Sequence, residues 1–424
     1  MKLSANKKSS PPHRKRALTT KGQRTRQALL DSARLVFEND GYFGASISEI
    51  GRRCGASQGT FYQYFRNKEQ IFRELIDSAL LSFWDRADKI EKKAGPFEHT
   101  FKAGLSVLLE HCRDYAALHR VLNEFELIET VTISYYDSIA RYFRGFFREA
   151  TRQGQIKLLD PNLVAYALIG VAMFLQMRWR ADAKEYDLAQ MVDNTHDLMA
   201  YGISGDKPWQ PAVDLDAFAA QDDHEGQLHW EEMAAAGKRT RRAIFQAAEQ
   251  VLGEYGYSRA SIAEITRRAG VAQGTFYVHF KSKEELIYGV VRFLSHELRR
   301  ELRCATADLS DRRDQEIQGL LTFFRFLGQH SLIYRIVSES EAIVPESAEY
   351  YYGKLASGYT ASLSQGVADK EIRPFPLDFL SAALMGINHM IGLRWLVWSS
   401  AVHPEIPRQV VADAVELLSH GLRI

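Results

Sequence analysis

The sequence predicts an all-α protein made of two copies of one helical module, and three observations carry that expectation. The 424-residue chain repeats itself at a spacing of 215 residues. Each repeat holds several helix starts led by serine or asparagine. In each, a glycine stands where a short helix must end and the chain turn.

The repeat is specific. It sets Arg24, Thr25 and Arg26 on Arg239, Thr240 and Arg241, and Gly41-Tyr42 on Gly256-Tyr257. Gln58-Gly59-Thr60-Phe61-Tyr62 falls on Gln273-Gly274-Thr275-Phe276-Tyr277, and from Arg24 to Glu69 24 of 46 positions are identical. Downstream the likeness weakens: Arg120 and Glu124 fall on Arg335 and Glu339, and Tyr135-Tyr136 on Tyr350-Tyr351. After a one-residue insertion in the second copy, Arg178-Trp179 falls on Arg394-Trp395.

The elements follow in order. A first helix runs from about Arg24 to Asn39. A short one starts at Ser46, where Ser46 with Glu49, and Ser261 with Glu264, form capping boxes: the serine oxygen accepts a free backbone N–H and the glutamate reaches back. Gly55 and Gly270 end it. A very short helix spans about Ser57 to Tyr64, and a long one starts at Asn67; Asn67 with Gln70, and Ser282 with Glu285, repeat the cap. So short a helix is marginal alone, and Ile50, Phe61 and Phe65, with Ile265, Phe276 and Phe280, would pin it to the first two. This is a helix-turn-helix. Farther on, Asp160-Pro161 opens an apolar helix to about Arg180, and Leu188 to Tyr201 reads as the last helix of the first copy. Their equivalents are Leu377 to Trp398 and Ile406 to Leu422.

With 46% hydrophobic and 25% charged residues, the chain is neither disordered nor collagen-like. Cys54, Cys112 and Cys304 are too few for a disulfide framework and too scattered for a zinc site. No metal or cofactor is expected, and the setting is expected to be reducing and cytoplasmic. The start of the chain lacks the apolar run of an export signal. Leu163 to Leu175 is too short to span a bilayer, and Phe379 to Trp398 carries Asn388, His389 and Arg394, so both read as buried helices. The net charge of +1 is a cancellation: nine basic residues and no acidic one lie in Met1 to Arg26, against eight acidic residues and Lys207 alone in Asp206 to Ala236. No Ser-His-acid signature, metal spacing or glycine-rich phosphate loop is visible, which argues against an enzyme.

Gly41-Tyr42, Ala45-Ser46-Ile47, Glu49-Ile50, Gly55, Gly59-Thr60-Phe61-Tyr62, Tyr64-Phe65 and Lys68-Glu69 resemble the DNA-binding motif of the TetR family of transcriptional repressors, and the pattern occurs twice. The resemblance covers about 46 residues per copy. It implies two TetR-like modules, each a three-helix DNA-binding domain followed by a helical ligand and dimerisation domain. The organisation would be a basic arm over 1–22, DNA-binding domains over 23–70 and 237–285, helical domains over 71–204 and 286–424, and an acidic linker over 205–236.

The resemblance also places the third helix in the major groove. Gly59 and Gly274 would let backbone approach DNA. Thr60, Tyr62, Thr275 and Tyr277 would offer hydroxyls to phosphates, Gln58 and Gln273 would pair with adenine edges, and Lys68 and Lys283 would meet phosphate at a helix start. Arg24, Thr25, Arg26 and Ser46 join the interface, with Arg239, Thr240, Arg241 and Ser261. Ser57, Gln63 and Tyr64 become Ala272, Val278 and His279 in the second copy, so the two half-sites should differ and the operator should be an imperfect palindrome of double-stranded DNA. For several residues a structural reading stands beside this one: Tyr62 and Tyr277 as core, Ser46 and Ser261 as caps, the basic tail as a solvated arm or as an arm in a minor groove.

By the same resemblance a small-molecule effector would bind each helical domain. Its candidate lining is Phe101, Phe125, Tyr142, Phe146, Met173, Met177 and Arg178, then Phe323, Tyr359, Met385, Met390 and Arg394, all equally readable as core. Arg178 and Arg394 could hold an anionic ligand or pair with Glu124, Glu126, Glu339 or Glu341. Members of the family dimerise through a four-helix bundle of the last two helices, with half-sites about one DNA turn apart. Here both halves lie in one chain, and a 32-residue linker spans on the order of 100 Å. A monomeric pseudo-dimer is therefore expected. The competing class is a ligand- or protein-binding helical scaffold without DNA binding.

Overall fold

The computed structural model describes residues 19–90, 96–124, 131–182, 187–215, 236–399 and 404–424. Among them, helices alternate with short turns, and a single bridge pairs Ser204 with Ile372. The first copy contributes α1 (Thr20–Gly44), α2 (Ile47–Arg53), α3 (Gln58–Tyr64), α4 (Lys68–Ala87), α5 (Phe97–Asp114), α6 (Ala116–Leu122), α7 (Ile133–Arg152), α8 (Pro161–Asp182) and α9 (Leu188–Tyr201). The second contributes α10 (Ala236–Arg259), α11 (Ile262–Arg268), α12 (Gln273–His279), α13 (Lys283–Thr306), α14 (Arg312–Gln329), α15 (Ser331–Ile343), α16 (Pro345–Ala368), α17 (Leu377–Gly392) and α18 (Arg408–His420), with a π-helical turn, Leu393–Val397, closing α17. The chain divides into two compact units: the described residues up to Asp40 with Gly44–Leu75, and Gly41–Phe43 with Ile76–Ile424.

In the first unit, α1 to α3 and the start of α4 enclose Leu29, Ala33, Val36, Phe37, Ile50, Phe61, Phe65 and Phe72, all fully or almost fully buried. Phe37 and Phe72 meet edge to face at 5.0 Å. Gly55 takes φ +68°, a region that costs a side chain but not glycine, and so turns the chain between α2 and α3. Gly51 is required for a different reason: a Cβ there would lie 2.7 Å from the Ala56 carbonyl oxygen.

The second unit holds α10 to α12, packed the same way, and the helical domains of both copies. The buried residues Tyr135, Tyr136, Ile139, Ala140, Phe143, Phe147 and Ala150 fall on one face of α7 at three- and four-residue spacing. At the centre α8 crosses α17 backbone to backbone. A Cβ on Gly170 would stand 2.1 Å from the Gly386 carbonyl oxygen, and one on Gly386 2.3 Å from that of Gly170. Beside them, α9 and α18 end on Gly202 and Gly421, with φ +66° and +68°. Ile203 N–H donates to Leu418 (2.8 Å) and Leu422 N–H to Met199 (2.8 Å), so the two ends reciprocate. These four helices form the bundle expected of the last two helices of each copy. Leu377–Val397 is long and apolar enough to cross a membrane, and most of it is buried in this protein interior.

Three expectations need correction. The insertion in the second copy precedes the tyrosine pair: Tyr135 and Tyr136 match Tyr351 and Tyr352, both pairs buried with rings edge to face at 5.3 and 5.2 Å, whereas Tyr350 is only partly covered. The linker is not a free tether at its start. Trp209 Nε1 and Ala212 N–H donate to Asp314 (3.2 and 2.8 Å), Arg313 lies over the Trp209 ring, and Val213 and Leu215 pack on Ile317, Leu321 and Val411. The Ser46 and Ser261 hydroxyls do cap Glu49 and Glu264 N–H, both at 3.1 Å, but the glutamate carboxylates turn forward, accepting from Arg52 and Arg53, and from Arg267 and Arg268. The arginine bonds hold both carboxyls at about 2, far below their usual range.

Candidate DNA interface and effector cavities

Helices α3 and α12 are two-turn elements held on one side and open on the other. Phe61 and Phe276 are fully buried beneath α3 and α12, while Tyr62 (53%) and Tyr277 (56%) stand exposed, with Gln58, Gln273 and Gln63. Val278 is 78% exposed, an apolar side chain facing outward where the first copy has Gln63. A Cβ on Gly274 would meet nothing within 4 Å, and one on Gly59 only the Ser57 hydroxyl at 3.7 Å. Glycine is a poor helix former, and the protein interior does not ask for it at either place.

The N-termini differ. Ser57 Oγ accepts Thr60 N–H at 3.1 Å and lies 3.0 Å from the Thr60 hydroxyl. Ala272 gives α12 no side-chain cap. A missing cap costs a helix about 1 kcal/mol, so α12 leans more on packing than α3.

Several candidate cations are already engaged. Lys68 Nζ donates to the Ala45 carbonyl at 3.0 Å, and Lys283 Nζ to those of Tyr257 (2.6 Å) and Ala260 (2.8 Å). Burial pulls the Lys283 amine below its usual value. Both lysines thus fasten the turn before α2 or α11. Arg26 pairs with Glu74 and covers the Phe65 ring. Its counterpart Arg241 covers Phe245 and Phe280 at 5.5 and 5.1 Å. There Glu74 is replaced by Gly289 and Leu30 by Phe245, whose ring runs 2.8 Å from where a Gly289 Cβ would sit. Arg24 and Arg239 are exposed, and Thr25 and Thr240 are half-buried, Thr25 Oγ1 donating to the Lys21 carbonyl. Tyr64, His279 and Thr275 are half-buried, and Ser46 and Ser261 serve first as caps.

The turn behind each first helix is tied to the helical domain by a carboxylate. Tyr42 and Phe43 N–H donate to Glu124 at 2.6 and 3.0 Å, and Tyr257 N–H donates to Glu339 at 3.1 Å. Glu339 lies on α15, so its carboxylate ties α15 to the end of α10.

Two cavities open in the second unit. One, of about 550 Å³, is walled by α13, α14, α16 and α17 and includes Leu298, Leu320, Phe323, Tyr334, Tyr359 and Met385. Its mouth carries Arg299, Arg303 and Lys354, and Asn388 and His389 line it within, where Tyr334 bonds His389 Nδ1 at 2.8 Å. The other, of about 430 Å³, lies between the copies and is lined by Met173, Met177, His119 and Arg120 from the first, and Glu341, Tyr352 and Met385 from the second. Burial pushes the Glu341 carboxyl up to about 7, against hydrogen bonds from Tyr352 (3.0 Å) and Asn123 (3.3 Å).

The other effector candidates lie elsewhere. Phe101 and Phe146 stack on each other, Tyr142 meets Trp84 edge to face, and Met390 is fully buried. Arg394 lies over Tyr166 and Trp395 rather than against a glutamate. Phe125, Glu126 and the Arg178 side chain lie outside the described residues, as do the basic arm through residue 18 and the linker over 216–235. Periodicity does not reveal which aromatic faces a void; comparison of the copies in the corrected register does, because small residues then stand opposite large ones.

A buried helix-turn-helix core presenting a short, open helix defines a DNA-binding protein, here with two such domains. The family model for bacterial regulatory proteins of the tetR family matches residues 29–75 and 244–288. The uncharacterized HTH-type transcriptional regulator YhgD of Bacillus subtilis is 23% identical over 159 residues, 36% of this chain and 83% of that protein. The fatty acid metabolism regulator protein of Bacillus subtilis is 26% identical over 187 residues, 41% of this chain and 93% of that protein. A solved structure of the transcriptional regulator FadR from Bacillus subtilis, in complex with stearoyl-CoA, covers 41% of this chain and 96% of its own, at 22% identity and a TM-score of 0.37. The chain is a DNA-binding transcriptional regulator of the tetR family, with the family's N-terminal domain present twice.

Proposed function

We propose that the protein is an effector-released repressor in which one chain grips an imperfect palindrome with α3 on one half-site and α12 on the other. The observation that carries the reading is the pair of open helices, each with a glycine that the fold does not need and an exposed tyrosine. Their inequality at Ser57/Ala272, Gln63/Val278 and Tyr64/His279 supports unequal half-sites. The bundle of α8, α9, α17 and α18, closed within one chain, supports action as a single-chain pseudo-dimer in the bacterial cytoplasm. The effector is an amphipathic metabolite. Its apolar body suits the walls of the larger cavity and an anionic group suits Arg299, Arg303 and Lys354 at the mouth; a relative named for fatty acid metabolism points the same way.

The test is selection of an operator from random DNA, followed by binding to it and to both of its perfect symmetrisations. Binding is expected to be steeply salt-dependent and tightest on the asymmetric site. Equal affinity for all three would overturn the unequal half-sites, and no sequence-selective binding at low salt would overturn the repressor reading.

A further inference from the structure

We propose that each chain holds one effector molecule, in the larger cavity of the second copy, because the equivalent site of the first copy is closed by its own side chains. This rests on the effector-responsive reading above. In the corrected register, two positions along the second-copy cavity are far smaller than their first-copy partners, Gly358 against Tyr142 and Ser362 against Phe146, and three more put a charged or aliphatic chain where the first copy has an aromatic ring, Arg312 against Phe97, Glu316 against Phe101 and Leu298 against Phe83.

In the first copy these residues fill the space. Phe146 stacks on Phe97 (5.2 Å) and on Phe101 (5.8 Å), Phe97 lies tilted against Phe101 (5.2 Å), and Tyr142 meets Phe83, Trp84 and Phe143 edge to face at 5.9, 6.0 and 5.1 Å. A Cβ on Gly104 would already be in contact with the Phe143 and Tyr142 rings. In the second copy the stack is replaced by a polar set, Arg312, Glu316 and Tyr359, bonded to one another at the cavity wall. Gly358 and Ser362, one turn apart on α16, are exposed at the opening, where the first copy has its aromatic door. Asn388 Oδ1 is buried with no donor among the described residues, which leaves an acceptor for a ligand; its first-copy counterpart is Ala172.

The cavity between the copies is lopsided in the same sense. Tyr352 lines it, whereas the counterpart Tyr136 is covered by Trp398, stacked at 5.6 Å and brought there by the π-helical turn after α17. One molecule would therefore switch the whole chain, and release of DNA would follow a simple, non-cooperative curve.

The experiment uses the full chain and anilinonaphthalene sulfonate, an apolar anion, as probe. Titration is expected to saturate at one probe per chain. The double substitution Gly358→Tyr with Ser362→Phe, which copies the first-copy door into the second, is expected to lower probe affinity at least tenfold while circular dichroism and operator binding stay unchanged. Two probes per chain, no binding to the unaltered chain, or undiminished binding by the double variant would overturn the single site. Phe146→Ser is a second check, since opening the first copy is expected to add a second site. Operator binding, scored separately, decides the regulator reading: its loss in the unaltered chain would sink that reading whatever the stoichiometry.

Discussion

Single residues separate what the fold needs from what function needs. Gly51 and Gly386 are held by backbone atoms within 3 Å of any added Cβ, whereas Gly59 and Gly274 face open space. Changing both Gly59 and Gly274 to Ala is expected to leave thermal stability unchanged or raise it by up to about 1 kcal/mol. Operator affinity should fall by at least about tenfold, read by fluorescence anisotropy; unchanged affinity would mean that the backbone there does not approach DNA. Glu341 supports a pH prediction. Burial raises its carboxyl to about 7 from an ordinary 4.5, so between those values the unfolded chain gives up a proton that the folded chain keeps, and stability falls as pH rises. His111, His119, His330 and His389, lowered by burial to about 2, 4, 4 and 3, act in the other direction and cost stability below about pH 6.5. Glu341→Gln should remove the first effect alone. It is expected to gain up to about 3 kcal/mol over the parent at pH 8 and nothing at pH 4, a difference that chemical denaturation at the two pH values checks.

At the level of elements, the decisive contact is the crossing of α8 and α17. No side chain fits between Gly170 and the Gly386 carbonyl, so even one methyl must push the helices apart. Gly170→Ala is expected to destabilise the second unit by about 1–3 kcal/mol, the cost typical of overpacking; an unchanged melting temperature would show that the crossing can relax. The starts of α2, α4, α11 and α13 were legible as Ser46, Asn67, Ser261 and Ser282, because a cap is a local device whose partners lie within one turn. The forward turn of Glu49 was not, since either direction satisfies the same spacing. Nor was the one-residue shift between the tyrosine pairs, because adjacent tyrosines at 350–352 allow two registers that only burial separates.

For the whole molecule, duplication changes what an assembly means. A bundle that would otherwise need a second chain closes inside one, and the effective concentration of the second half is set by the chain itself. Sedimentation of the 48.3 kDa chain is expected to give a one-chain mass over a wide concentration range, with one chain per operator. A mass of two chains at every concentration would refute it. Where the docked start of the linker, from Trp209 to Leu215, straps the second copy, charge patterning pointed to a solvated tether; the tryptophan docks because Asp314 accepts its N–H and Arg313 lies over its ring, and the two aliphatics because Ile317, Leu321 and Val411 offer an apolar surface.

The sequence by itself determined that the chain is helical, that it is one module written twice, and that each copy carries a DNA-binding helix-turn-helix, because these rest on local spacing and on identity between copies. Only the tertiary structure decided which copy has room for a ligand. A void is a relation among α13, α14, α16 and α17, and whether an aromatic fills it or borders it depends on what faces it across the interior.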